Sequence, residues 1–163
     1  MDTISESMLR KEFTEAFHRV WDTTVDIPLV NLEIRPEEVE IKTEDNWLAG
    51  VVWMGGSWTG CVTIAMPQSL LQVAFEAVLK ERDNIPPSKE NLIDLVRELT
   101  NMTAGNLKSI LPGTAGLATP GCFEVTKIED LDNKFCNLIS LCYSCNGSSM
   151  IAELHGLSIK RYK

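Results

Sequence analysis

The sequence predicts an α+β fold in which helices pack on an antiparallel sheet. Two observations favour this class. Apolar residues recur at intervals of three and four in residues 4–21, 67–80 and 91–111, which predicts three amphipathic helices. Shorter apolar runs in residues 47–66 and in the last third of the chain are separated by turn residues, which predicts strands. The predicted order is helix, strands, two helices and strands.

Composition indicates a soluble globular protein. The 163 residues are 44% hydrophobic and 23% charged, so we expect one domain over residues 1–163 with a substantial core. The net charge of −8 argues against nucleic acid and anionic membrane as partners. The sequence shows neither an apolar run long enough to span a bilayer nor a basic segment leading into an apolar one at the N-terminus. We therefore expect a cytoplasmic protein.

The five cysteines are interpreted as reduced, structural thiols. Cys142 and Cys145 have the CxxC spacing, but in an extended strand their side chains point to opposite faces and lie too far apart to bridge. The sequence holds no second CxxC and no paired histidines, so no metal site is predicted.

The first half of the chain reads as a helix followed by strands. The helix at 4–21 has a clear apolar stripe, and His18 within it is expected to be structural. Residues 29–43 alternate in part and are interpreted as extended structure broken by Pro36. Residues 47–66 predict a hairpin in which Gly55-Gly56 supplies the positive φ of a tight turn. The stripe of the first helix consists of Leu9, Phe13, Ala16, Phe17, Val20 and Trp21.

The second half adds two helices and more strands. Pro67 opens a helix to about Lys80, because proline is well tolerated at the first helical position. A polar loop at 81–88 ends in Ser88, a predicted N-cap, and a Gly/Pro-rich break covers 112–121. Asn146-Gly147 is the turn between the last two strands. The predicted strands of this part are 122–128, 134–143 and 148–159.

The helix at 91–111 is divided into an apolar and a polar side. At 100° per residue its polar stripe is formed by Asp94, Glu98, Asn101 and Gly105. Glycine in a helix interior costs about 1 kcal/mol relative to alanine, so Gly105 suggests close approach of another molecule. Any surface helix shows a polar stripe, so the pattern alone does not establish a site. We expect Asp94, Glu98 and Asn101 to be exposed. The residues expected to be buried are Leu92, Val96, Leu99 and Ile110. Asn106 is also expected to be buried, with its side-chain amide hydrogen-bonded to main chain.

The exact string of this helix resembles a known family. Asp94-x-x-x-Glu98-x-x-Asn101, followed by Gly105-Asn106 and a Lys-Ser-x-Leu tail, is similar to the signature helix of the CheC/CheX/FliY chemotaxis phosphatases. The first helix contains no Glu-x-x-Asn, so the resemblance is to the single-site, CheX-like members. It implies an α+β layout over most of the chain.

The resemblance implies an enzyme that hydrolyses the aspartyl phosphate of a CheY-like receiver domain. Asn101 would orient the attacking water and Glu98 would pair with the receiver's active-site lysine. Asp94 and Gly105 would contact the partner. The chain would need no cofactor of its own, because Mg²⁺ would belong to the receiver. The single-site members of the family pair through sheet edges, so a homodimer is expected as well.

One spacing differs from the family's pattern. Pro120 follows Asn101 after eighteen residues, which is shorter than the family's interval and puts the identity of the partner in doubt. Two other interpretations remain open: a module that binds receivers without turnover, and a plain dimerisation domain. Asn101 discriminates among them, because only the enzyme needs it.

Overall fold

The structure, a computed structural model, describes residues 4–79, 86–111, 113 and 115–157. In this part of the chain three helices pack on one seven-stranded antiparallel sheet, which confirms the α+β prediction. The helices are α1 (Glu6–Thr24), α2 (Gln68–Val78) and α3 (Lys89–Lys108). The strands are β1 (Val30–Asn31), β2 (Trp47–Gly56), β3 (Gly60–Pro67), β4 (Ala115–Leu117), β5 (Gly121–Val125), β6 (Cys136–Cys145) and β7 (Ser148–Gly156).

The strand order is β1-β6-β7-β3-β2-β4, and β5 also pairs with β2. β4 lies against the C-terminal end of β2 and β5 against its N-terminal half. The hairpins β2–β3 and β6–β7 are confirmed, and Asn146 and Gly147 both have positive φ at the turn of the second. In the first hairpin β2 continues through Gly56, which has a positive φ of 117°, and Gly55 lies within the strand.

The larger core lies between the helices and one face of the sheet. α1 contributes all six residues of its predicted stripe to this core. Ser5 caps the helix, since its hydroxyl accepts a hydrogen bond from the Met8 amide at 3.2 Å. α2 ends at Val78; the predicted helix residue Lys80 lies outside the described part, as do residues 81–85 of the predicted loop and 158–159 of the predicted last strand.

α3 lies very close to β2. A Cβ on Gly50 of β2 would sit 2.6 Å from the Val96 carbonyl oxygen and would also collide with Thr100, so only glycine fits there. Thr100 and Thr103 are buried polar residues, and their hydroxyls donate to the Val96 and Leu99 carbonyls at 2.6 and 2.8 Å. The core face of α3 is therefore fixed against the sheet, which also fixes the direction of its outer face.

A smaller core lies on the opposite face of the sheet, where the segment predicted to be extended and broken at Pro36 forms a paired strand only in part. Of residues 29–43, only Val30–Asn31 forms a strand, and short 3₁₀ helices follow at Pro36–Glu38 and Thr43–Asp45. Proline lacks a backbone N–H and begins the first of these turns. Val39 and Ile41 pack on the outer face of the sheet, so the apolar residues of this segment are used without strand pairing.

All five cysteines are free in the structure. Cys142 belongs to the smaller core and Cys145 to the larger one, so the two thiols of the CxxC do lie on opposite faces of β6. Burial raises the pKa of Cys61 and of Cys142 to about 11, which keeps both thiols protonated near neutral pH. Among the described helices, none combines the length and apolar character that a membrane crossing requires.

Candidate functional site

α3 begins with a reciprocal cap. The Ser88 hydroxyl accepts from the Asn91 amide at 3.2 Å, and the Asn91 side-chain oxygen accepts from the Ser88 amide at 3.0 Å. Glu90 lies in the first turn, where a carboxylate is stabilised by the helix dipole. The predicted N-cap is thus confirmed, and the helix extends from Lys89 to Lys108 instead of 91–111.

The outer face of α3 carries the predicted polar stripe. Asp94 and Glu98 are exposed as predicted, and so is Gly105, whereas Asn101, which was also expected to be exposed, is half-buried. At 1.5 Å per residue, Glu98 and Asn101 lie about 4.5 Å apart along the helix axis. A carboxylate and a carboxamide on adjacent turns can therefore contact one external target.

Most charges around the stripe are already paired. Asp94 accepts from the Arg97 guanidinium at 3.5 Å, and the Lys89 ammonium lies 2.6 Å from the Glu124 carboxylate of β5. The hydrogen bond from Lys89 lowers the pKa of Glu124, and the carboxylate in turn raises the pKa of Lys89. The charge of Glu98 is different, because it forms no ion pair or hydrogen bond with any residue that the structure describes.

The amide of Asn101 also makes no hydrogen bond with another described residue. Its oxygen and its NH₂ group thus remain free to bind a ligand or a water molecule. The structure brings Glu98 and Asn101 together as two uncommitted polar groups on one helix face. Asp94 lies on the same face, but its carboxylate is shared with Arg97.

Two of the expectations about the buried side of this helix are wrong. Ile110 is 36% exposed, because α3 ends at Lys108 and Ile110 no longer follows the helical repeat. Asn106 is half-buried, and its side chain forms no hydrogen bond with main chain in the described residues. It lines a small crevice with Glu12, Glu15 and Arg19 of α1. Leu92, Val96 and Leu99 are buried as predicted.

A shallow depression of about 370 Å³ adjoins the C-terminal end of the stripe. Its lining is formed by Gly105, Lys108, Ser109, Gly113 and Ala115. A Cβ added to Gly105 would meet no atom within 4 Å, so the surface there is open to the backbone. Lys108 and Arg97 were not among the predicted site residues. Lys108 follows Asn101 by seven residues and Arg97 follows Asp94 by three, so both lie near the stripe.

α1 does not repeat this arrangement. Its histidine, His18, is bound through Nε2 to the Tyr143 hydroxyl at 2.9 Å and packs edge-on against the same ring, which confirms a structural role. Burial raises the pKa of Tyr143 to about 12, so its hydroxyl stays neutral. In the described part of the chain, His, Cys, Asp and Glu side chains form no group of three or more that could hold a metal ion.

The fold is that of the CheC-like chemotaxis proteins. The CheX structure from Vibrio vulnificus is 20% identical and superposes with a TM-score of 0.68 over 93% of this chain and 97% of the other. The CheX–CheY–BeF₃–Mg²⁺ complex from Borrelia burgdorferi gives 14% identity and a TM-score of 0.69 over 91% and 97%. FliY from Thermotoga maritima is 13% identical and superposes with a TM-score of 0.58 over 96% of this chain and 91% of FliY.

The sequence comparison is more specific than the fold. Residues 48–137 match the family model of the chemotaxis phosphatase CheX, which includes the whole of α3. The chain therefore belongs to the CheX family of chemotaxis phosphatases. No curated protein matches the sequence.

Proposed function

We propose that this protein hydrolyses the aspartyl phosphate of a CheY-like response regulator, with Asn101 and Glu98 as the residues that act on the partner. The observation that carries the proposal is the pair of uncommitted polar groups on adjacent turns of α3. Membership of a phosphatase family supports the reaction class. The Borrelia burgdorferi complex of CheX with CheY, BeF₃ and Mg²⁺ supports the class of partner.

Asn101 is suited to orienting water. Hydrolysis of a phosphoryl group needs a nucleophile held in line and little other chemistry from the protein. A carboxamide oxygen accepts a hydrogen bond from water without bringing a full negative charge near the phosphoryl oxygens. The helix backbone is fixed against β2, so the Asn101 side chain is attached to a rigidly held backbone.

Glu98 is suited to binding a cation of the partner. A carboxylate forms a strong, charge-assisted hydrogen bond with an ammonium group, and the proposed target is the active-site lysine of the receiver. Glu98 forms no ion pair with a described residue, so binding the partner breaks no existing contact. Asp94 and Gly105 complete the contact surface, and Mg²⁺ is held by the receiver.

The test follows phosphate release from a panel of phosphorylated receivers. Asn101→Ala should lose roughly 10²-fold in turnover, because positioning of the nucleophile is lost. Asn101→Asp should be equally impaired, since its charge repels the phosphoryl oxygens. Glu98→Ala should weaken binding by about 1–3 kcal/mol and therefore raise KM. Asn101→Ala should still bind the receiver, because Glu98 remains.

Matched controls lie on the same helix. Asn106 is a second half-buried asparagine and points about 140° away from Asn101, so Asn106→Ala should leave turnover unchanged. Glu90→Ala is the corresponding control for Glu98. If Asn101→Ala released phosphate as fast as wild type, the catalytic assignment would be wrong. A wild-type protein that binds receivers but never speeds phosphate release would be a binding module.

A further inference from the structure

The polar stripe of α3 ends in a cation, Lys108, which belongs to the Lys-Ser-x-Leu tail of the motif but has no role assigned to it so far. Lys108 is exposed, and its ammonium forms no ion pair with a residue in the described ranges. The other cations of this helix, Lys89 and Arg97, are each paired with a carboxylate. Lys108 is therefore the unpaired positive charge of the helix.

Helix geometry directs Lys108 towards the site. It follows Asn101 by seven residues, so the two side chains leave the helix within about 20° of each other and about 10 Å apart along the axis. Side chains on a helix tilt towards its N-terminus, so the four-carbon stem of Lys108 extends back over the preceding turn. The residue in that turn is Gly105, which has no side chain to obstruct it.

The surface beside Lys108 is a preformed depression. Ala115 on its far side is buried and paired with Gly56 of β2. Gly113, with a positive φ of 76°, packs so tightly that a Cβ would lie 2.7 Å from the Ser57 hydroxyl oxygen. These contacts hold the wall of the depression against the β2–β3 hairpin.

Charge complementarity indicates what this segment carries. The chain has a net charge of −8, whereas the phosphorylated partner presents an anionic acyl phosphate to a stripe that already contains Glu98. A cation near the stripe offsets this repulsion and fixes the orientation of docking. We propose that Lys108 is a docking residue that binds an anionic group of the response regulator beside its phosphorylated aspartate, with the adjoining segment seated in the depression. This inference rests on the proposed function.

The test separates binding from chemistry in steady-state phosphate release, using the receiver that wild type dephosphorylates fastest. Lys108→Met should raise KM roughly threefold and Lys108→Glu roughly tenfold, with kcat nearly unchanged. Lys108→Arg should restore the wild-type KM. The difference in KM between wild type and Lys108→Met should decrease as salt is added, because salt screens the charge of Lys108. Lys42→Glu makes the same change of net charge at an exposed position on the opposite side of the sheet and should leave KM unchanged.

Melting temperatures of all variants check that each one folds, because a carboxylate in the last turn of a helix is disfavoured by its dipole. An unchanged KM in Lys108→Met and Lys108→Glu would overturn the inference, as would a loss in kcat alone. Equal increases in KM for Lys108→Glu and Lys42→Glu would also overturn the inference, because they would show a general effect of net charge. If wild type neither bound nor dephosphorylated any receiver, the proposed function itself would fail, which is a distinguishable result.

Discussion

Gly105 offers a substitution that should improve the fold and impair the function. It lies inside α3, where glycine costs about 1 kcal/mol relative to alanine. A Cβ at this position meets no atom within 4 Å, so alanine is accommodated without strain. Gly105→Ala should therefore raise the free energy of unfolding by about 1 kcal/mol. For a chain of this length that corresponds to roughly 2–4 °C in melting temperature.

The same methyl group should impair docking. If the partner approaches the helix backbone at Gly105, the added carbon overpacks the interface, at a typical cost of about 1–3 kcal/mol. This corresponds to a loss of roughly 5- to 150-fold in kcat/KM. A stabilised protein with lower activity is a combination that general damage to the fold does not produce.

The assay combines urea unfolding with phosphate release from a phosphorylated receiver. Gly50→Ala is the contrasting control: its Cβ would lie 2.6 Å from the Val96 carbonyl oxygen, so it should destabilise the protein. Thr23→Ala, at an exposed position of α1, should stabilise modestly and leave activity unchanged. A Gly105→Ala protein with wild-type kcat/KM would refute the idea of close approach. A destabilised one would refute the placement of Gly105 in an open helical position.

Three further predictions concern charge, thiols and assembly. Lys89 lowers the pKa of Glu124 from its ordinary 4.5, so the pair stabilises the fold above that pH. This stabilisation is lost as the pH falls through the lowered pKa. The melting temperatures of wild type and Glu124→Gln should therefore differ at neutral pH and converge in strong acid. Cys136 is exposed whereas Cys61 and Cys142 are buried, so a thiol reagent should label Cys136 first and Cys136→Ser should abolish the fast phase. We propose a homodimer, because β1 pairs with only Tyr143 and Ser144 of the long edge of β6, to which the Leu32 amide adds one hydrogen bond at the Cys142 carbonyl. Light scattering that finds only an 18.2 kDa species at micromolar concentration would contradict the proposal.

The helices were predictable because each buries a regular stripe. α1 placed all six expected residues in the core, and Ser88 capped α3 as its residue type and position indicated. The end of α3 was misplaced because apolar residues continue past Lys108, and helical periodicity does not reveal where the backbone leaves the helix. The prediction for Ile110 failed for this reason, whereas Asn106 lies within α3 and is only half-buried because it lines a crevice beside α1.

Extended segments were less predictable, because pairing depends on distant residues. Residues 29–43 alternate like a strand, yet most of this segment packs over the outer face of the sheet without a partner strand. Conversely, Ala115–Leu117 lies in a Gly/Pro-rich stretch that predicts a loop, and it becomes β4 because the end of β2 is available beside it. Pro112 and Thr114 of that stretch lie outside the described residues. Local pattern alone could not separate the two cases.

The position of the candidate site followed from periodicity, whereas its chemistry did not. The polar stripe could be located from spacing alone, but a role for Glu98 and Asn101 came from the resemblance to a family. The pairing of Asp94 with Arg97 was visible as an i, i+3 spacing, and it separates Asp94 from the two uncommitted residues. The depression beside Lys108 was not predictable, because Gly113 and Ala115 reach it only through their contacts with the β2–β3 hairpin and β2.

The two faces of α3 have different roles, since the core face stabilises the fold and the outer face is available for recognition. Val96 and Thr100 meet Gly50 on the core face, where there is no room for even one additional carbon. Glu98 and Asn101, on the outer face, have polar groups that the fold does not use. Because the residues that hold the helix in place are different from those available to a partner, substitutions of Glu98 and Asn101 should change activity at nearly constant stability. Substitutions at Gly50 or Thr100 should instead reduce both together, because they displace the helix on which the outer face depends.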